Sequence, residues 1–260
     1  MSKLLTVSLV QSVLHWENRA ANLRHFSQHL SGLKAGDTDL VLLPEMFTTG
    51  FSMNAAALAE PTEGEAYRWM AQQASRLQAV VTGSIIAGED GNYYNRLLWV
   101  RPDGSYAQYD KRHLFTLAKE EETYTAGREA LFTELKGWKV MPLICYDLRF
   151  PVWSRNRERY DLLLYIANWP AKRRTAWKAL LAARAIENQA FTLGLNRVGE
   201  DGNGFPYSGD SAAYDYAGEP LLQSAQVEGV FTLTLDQEKQ SEFRSKLRFL
   251  DDQDTFTIEG

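Results

Sequence analysis

The sequence predicts an α/β layered domain, on three observations. Strand-like and helix-like runs alternate through most of the chain, as β–α layering requires. Two of the strand-like runs, "DLVLLPE" (39–45) and "DLLLYIAN" (161–168), are apolar almost throughout, the pattern of strands covered on both faces. Toward the C-terminus, strand-like runs follow one another with no helix between them.

The elements follow in chain order. In "LLTVSLVQ" (4–11), Leu5, Val7 and Leu9 alternate with Thr6, Ser8 and Val10, which predicts a first strand. Ser8, Gln11 and Ser12 interrupt the apolar run and no small-x-small site follows, so a signal peptide is not expected. A helix is predicted over 16–33, where Ala20, Leu23, Phe26, Leu30 and Leu33 recur at spacings of three and four. After the strand at 39–45, a second helix (64–78) carries Tyr67, Met70, Ala71, Ala74 and Leu77 on one face. Strands are predicted over 79–87 and 95–102, and "PDGS" (102–105) turns the chain into the next strand. Further strands are predicted at 138–145, 161–168, 191–198, 211–217 and 229–236. A helix over 170–189 starts at Pro170, a favoured first helical residue. Its apolar positions surround most of the cylinder, so it is expected to be buried or to face a partner. "GEDGNGFPYSG" (199–209) reads as a long glycine-rich loop.

The chain has 260 residues, near the limit of about 250–300 for one core, so one domain over 1–260 is expected. A net charge of −5 gives no reason to expect nucleic acid or an anionic membrane as a partner. No apolar stretch approaches ~18 residues, so no transmembrane helix is expected. The single cysteine cannot form an internal disulfide. The expected location is the cytoplasm.

Three stretches each place a reactive side chain just past an apolar run, where open α/β sheets hold their ligands. In "LVLLPEMF", Glu45 fits either a partly buried general base or an acid capping a strand end. In "YAQYDKRHLF" (106–115), Lys111 fits either a functional cation or a solvated basic turn. In "PLICYDLRFP" (142–151), Cys145 fits either a small buried hydrophobe or a nucleophile. Pro151 can open a following helix, "PVWSRNRER". Strand, sharp turn and helix would then form a nucleophile elbow, with backbone N–H groups able to hold an oxyanion.

"LLPE", "YDKRHLF" and "ICYDLRFP" occur in that order, joined by "AGREALF", "IANWP" (166–170), "ALLAARAIENQ" (179–189) and "GDS" (209–211). Together they resemble the nitrilase, or carbon–nitrogen hydrolase, superfamily over nearly the whole chain, to about residue 236. The resemblance implies a four-layer α-β-β-α sandwich with two mixed sheets, residues 236–260 forming a C-terminal extension. It implies a catalytic Glu–Lys–Cys triad of Glu45, Lys111 and Cys145, with a thioester intermediate. The Tyr146 backbone N–H would stabilise the oxyanion. A second glutamate is assigned to Glu120 by counting back from Gly127; Glu121 and Glu122 are its neighbours. "CYDLRFP" is most like the ω-amidase branch, which removes ammonia from the terminal amide of α-keto acid amides. Arg149 would then pair with a substrate carboxylate, or form a structural ion pair with Asp147 or another acid. Phe51, Phe115 and Trp169 would wall the pocket. "PVWSRNRERYD" departs from the family's usual residues after the proline, and nitrile, N-carbamoyl and deaminated-glutathione substrates stay open. The implied partner is a small-molecule amide, with no metal and no cofactor. At least a homodimer is expected, with 170–189 in the contact.

A metal-dependent phosphohydrolase is the competing class. It needs a late histidine, but the four histidines are His15, His25, His29 and His113. A non-catalytic binding module has no reason to hold Glu45, Lys111 and Cys145 at three strand ends.

Overall fold

The computed structural model describes residues 3–224 and 226–258. The alternation noted in the first strand folds as β1 (Leu4–Gln11). Then come α1 (Arg19–Leu30), β2 (Leu40–Leu42), a short α2 (Ala55–Leu58), α3 (Glu65–Leu77), β3 (Val80–Glu89), β4 (Asn92–Val100) and β5 (Tyr106–Asp110). The second half holds β6 (Thr133–Leu135), β7 (Trp138–Ile144), β8 (Leu162–Ala167), α4 (Arg174–Asn188) and β9 (Phe191–Asn196). It closes with β10 (Val198–Glu200), β11 (Pro206–Ser208), β12 (Ala212–Tyr214), β13 (Pro220–Gln223), β14 (Gly229–Asp236) and α5 (Gln237–Lys246).

Two mixed sheets result, in the orders β14-β1-β2-β3-β4-β5 and β13-β12-β9-β8-β7-β6. Each has a parallel core, β1-β2-β3 in one and β7-β8-β9 in the other, flanked by antiparallel strands. Period-two alternation decides the layering. Leu5, Val7, Leu9, Leu40 and Leu42 point inward and share one buried cluster with Val140, Leu143, Leu162 and Leu164 of the second sheet. Val10, Val41, Leu43 and Val81 point outward and pack under Phe26 of α1 and Met70 of α3. Trp177, Leu181 and Ala185 of α4 cover the far face of the second sheet. The order helix, sheet, sheet, helix is the four-layer sandwich that the resemblance implied.

Several expectations need correction. The helix over 170–189 begins later. Pro170 is extended (φ −62°, ψ 146°), a 3-10 turn spans Ala171–Arg173, and α4 opens at Arg174. Arg174 is anchored there by Asp210, Nε to Oδ2 at 3.0 Å. No helix follows Pro151; residues 151–154 are turns. Phe150 is non-helical (φ −115°, ψ 87°), as expected before proline, but the Asn156 N–H, which a helix from Pro151 would direct to Val152, donates to Asn188 Oδ1 at 2.8 Å. The loop 199–209 contains a two-stranded ribbon, β10 paired with β11. The strands expected over 39–45 and 211–217 shrink to three residues each. The C-terminal extension forms α5, whose Gln240 and Arg244 donate to the backbone of Asp161, Gln189 and Tyr160; residues 259–260 lie outside the described ones. No helix among the described residues is long and apolar enough to cross a membrane.

Candidate active site

Beyond Leu42 the chain folds over β3. The Leu43 N–H donates to the Thr82 carbonyl at 2.7 Å, and the Met46 N–H to Ser84 Oγ at 2.8 Å. Gly83 permits this approach, because a Cβ there would lie 2.8 Å from Leu43 Cβ. Glu45 is thereby held at 0% exposure. Its Oε1 accepts from Asn95 Nδ2 at 2.8 Å and from Lys111 Nζ at 3.0 Å. Its Oε2 accepts the Asn168 N–H at 2.8 Å, while Asn168 Nδ2 donates to the Glu45 carbonyl at 2.6 Å.

Lys111 directly follows β5. Its N–H donates to the Asn95 carbonyl, and its own carbonyl accepts the Gly127 N–H, both at 3.0 Å. A Cβ on Gly127 would sit 2.0 Å from the Asp110 carbonyl oxygen, so this crossing needs glycine. Lys111 Nζ also donates to Glu120, at 2.9 Å to Oε2 and 3.1 Å to Oε1. Glu120 is buried and accepts the Phe115 N–H at 2.6 Å, whereas Glu121 and Glu122 are exposed. Burial opposes the Lys111 charge, but Glu120 and Glu45 outweigh it and hold its pKa above the lysine range. Burial pushes Glu120 up, against the pull of Lys111 and with the help of the Glu45 carboxylate. Desolvating such ions costs several kcal/mol each, and a cluster of this kind survives only when its hydrogen bonds are complete.

Cys145 closes the cluster from the second sheet. It follows β7 at φ +42° and opens a 3-10 turn, Cys145–Arg149. A left-handed non-glycine residue costs about 1–3 kcal/mol and persists only where its surroundings enforce it. Asp147 supplies the enforcement. Its Oδ2 accepts the Ile144 N–H at 3.0 Å and the Tyr109 hydroxyl at 2.7 Å, and its Oδ1 accepts the His113 N–H and Nδ1 at 3.1 and 2.8 Å. One buried carboxylate therefore bolts the Cys145 turn to the loop carrying Lys111. Cys145 lines the same cavity as Glu45, and burial, then the Glu45 charge, raise its pKa well above the ordinary thiol value. The resting sulfur keeps its proton, which Glu45 is positioned to accept. The Tyr146 N–H lies in the first turn, where backbone N–H groups have no intrahelical acceptor.

A cavity of about 640 Å³ opens beside these residues. Glu45, Lys111, Cys145, Tyr146, Phe51, Phe115, Arg149 and Trp169 all line it; Glu120 stands behind Lys111. The Lys111 ammonium lies 5.1 Å from the centre of the Phe51 ring. The Arg149 guanidinium stacks over Trp169 at 4.9 Å and has no acidic partner among the described residues. Its alternative partner, Asp147, is engaged by Tyr109, His113 and Ile144. Arg173 stacks over Phe115 at 4.8 Å in the same cavity.

Sequence reasoning missed Asn95, Asn168, Asp147 and Arg173. Asn95 and Asn168 are polar residues at the margins of apolar runs, the one available signal. Asp147 lies two residues beyond the thiol, and Arg173 is one of several basic residues in "PAKRRTAW".

Similarity to known proteins bears on this geometry. The sequence pattern of the family described as carbon–nitrogen hydrolase matches residues 6–245. An ω-amidase of Yersinia enterocolitica is 50% identical over 220 residues, covering 85% of each chain. A 2-oxoglutaramate amidase of Bacillus subtilis is 31% identical over 252 residues, covering 95% of this chain and 96% of its own. Among solved structures, a CN-hydrolase superfamily protein of Xanthomonas campestris with an arsenic adduct in its active site superposes with a TM-score of 0.96. It is 45% identical, and the match covers 98% of this chain and 99% of that one.

Proposed function

The chain belongs to the carbon–nitrogen hydrolase family, and on that premise we propose that it is an ω-amidase. It hydrolyses the terminal amide of small α-keto acid amides, α-ketoglutaramate and α-ketosuccinamate, to the acid and ammonia. The observation that carries this reading is that Cys145, Glu45 and Lys111 line one cavity, with Lys111 Nζ 3.0 Å from Glu45 Oε1, together with Arg149, which has no acidic partner among the described residues.

Glu45 takes the thiol proton as the sulfur attacks the amide carbon. The oxyanion that forms is held by the Lys111 ammonium and the Tyr146 N–H. When the tetrahedral species collapses, the carbon–nitrogen bond breaks and Glu45 returns its proton to the leaving ammonia. A thioester remains on Cys145. Glu45 then takes a proton from water, whose oxygen attacks the thioester; the acid leaves and the thiol is reprotonated. Glu120 keeps Lys111 charged and aimed. Arg149, a bidentate donor with no acidic partner among the described residues, pairs with the substrate carboxylate, with Phe51, Phe115 and Trp169 as the walls.

We further propose that the protein acts in the cytoplasm as a homodimer, with α4 in the contact; the exposed Ile186 on its surface supports this. Sedimentation at micromolar concentration tests it, and a monomer overturns it. The substrate reading is tested by ammonia release from α-ketoglutaramate, glutamine, a nitrile and an N-carbamoyl amino acid. The α-keto acid amide is expected to give the highest kcat/KM. A nitrile or carbamoyl compound turned over faster overturns it.

A further inference from the structure

Three of the four histidines gather on one surface, away from the chemistry described above. His25 and His29 lie at i and i+4 on α1, so they share a face. Their rings cross at 78° with centroids 4.7 Å apart, and the two Nε2 atoms are 3.3 Å apart. Glu228, just before β14, brings Oε1 to 3.0 Å from His25 Nε2 and 3.6 Å from His29 Nε2. Both imidazoles are partly covered, at 22% and 16% exposure. The His15 ring stands beside them, 5.3 Å from that of His25.

We propose that His25, His29 and Glu228 form a binding site for a divalent metal ion of the zinc class. Metal bonds of about 2.0–2.1 Å in a tetrahedral site place neighbouring ligand atoms about 3.3–3.5 Å apart. The triangle of 3.0, 3.3 and 3.6 Å matches that spacing. Hydrogen-bond contacts already join these atoms, His25 Nε2 to Glu228 Oε1 at 3.0 Å and to His29 Nε2 at 3.3 Å, and a bound cation would replace them. Glu228 Oε1 already accepts the Val13 N–H at 2.7 Å and the Ser12 hydroxyl at 3.0 Å. His29 Nε2 is too far from it for a hydrogen bond and contacts Ser12 Oγ at 3.1 Å instead. A cation at the centre meets all three lone pairs at once. Ser12 and Val13 then become the outer partners that orient the carboxylate. Two imidazoles and a carboxylate suit zinc, cobalt or nickel rather than magnesium or calcium. Water would complete the fourth position. Such an ion ties α1 to the lead-in of the edge strand β14. It has no part in amide hydrolysis, since none of its three ligands lines the cavity at Cys145.

Titration of the Cys145→Ala protein with Co²⁺, followed by visible absorption, tests the site without a competing thiol. The expected result is one equivalent bound with four-coordinate cobalt bands, displaced by Zn²⁺. Uptake is expected to weaken at least tenfold in His29→Gln and in Glu228→Gln made in that background. His29→Gln in the otherwise unaltered chain is expected to leave ammonia release unchanged, and Zn²⁺ is expected to raise Tm only where the three ligands are intact. No uptake at millimolar cobalt, or uptake undiminished in His29→Gln, overturns the proposal. Loss in His29→Gln without loss in Glu228→Gln overturns the three-ligand site.

Discussion

The two sheets contribute unequally to the cavity. The first sheet delivers Glu45, Lys111 and Glu120, an ion cluster whose members hold one another with hydrogen bonds of 2.9–3.1 Å. The second delivers Cys145 on a left-handed turn at φ +42°. The charged half is ordered by its own electrostatics. The thiol half is ordered by strain, which Asp147 contains by reaching back to Tyr109 and His113 on the first half. Asn168 repeats the tie from β8, donating twice to Glu45. Preorganisation in this molecule thus lies in the cross-sheet links as much as in the reacting groups.

Among changes that leave Cys145 in place, removing the charged half has the largest expected effect. Lys111→Met should lower kcat by about 10²–10³-fold, the typical loss for one oxyanion donor. Leaving Glu45 and Glu120 buried without their cation should also lower stability by about 3 kcal/mol, and near-normal turnover of the folded fraction would show that Lys111 only neutralises its two carboxylates. Cutting a link comes next. Asp147→Ala should lower stability by about 3 kcal/mol, as removal of a buried hydrogen-bonded charge does, and should lower kcat with it. Asp147→Asn should recover part of both. A stable, fully active Asp147→Ala would mean the turn holds itself.

Arg149→Ala should raise KM for α-ketoglutaramate by about 10–100-fold, the worth of a charged hydrogen bond, and leave neutral amides nearly untouched. An equal loss on both would make Arg149 structural. The smallest effect sharpens the thiol half. Burial and the Glu45 charge raise the Cys145 pKa, so at any pH the resting thiolate fraction lies below that of a free cysteine. Iodoacetamide labelling of the resting enzyme should therefore show no thiolate inflection at or below the ordinary thiol value of 9.0. An inflection below that value would mean that Lys111 holds a preformed thiolate.

The positions of Glu45, Lys111 and Cys145 are legible in the sequence because "LLPE", "YDKRHLF" and "ICYDLRFP" occur in that order; each stretch alone also fits a structural role. The layers are legible because Leu5, Val7 and Leu9 face one way and Val10 the other. Glu120 is separable from Glu121 and Glu122 only through the spacing to Gly127, whose need for glycine comes from the Asp110 carbonyl. Asp147 and Asn168 are not legible. Their roles come from partners more than thirty residues away in sequence, and no local period announces such contacts. The helix expected after Pro151 fails because a distant side chain takes its backbone: the Asn156 N–H donates to Asn188 Oδ1 at 2.8 Å instead of turning back onto the chain. The ribbon of β10 and β11 escapes notice because three-residue strands carry no measurable alternation.

The most direct test of the central claim is intact-mass spectrometry of the protein quenched during turnover of α-ketoglutaramate. The expected result is a transient adduct equal to the substrate less ammonia, mapped to Cys145 and absent, with all ammonia release, from Cys145→Ala. Sustained ammonia release by Cys145→Ala, or turnover with no adduct under conditions that preserve thioesters, would contradict it.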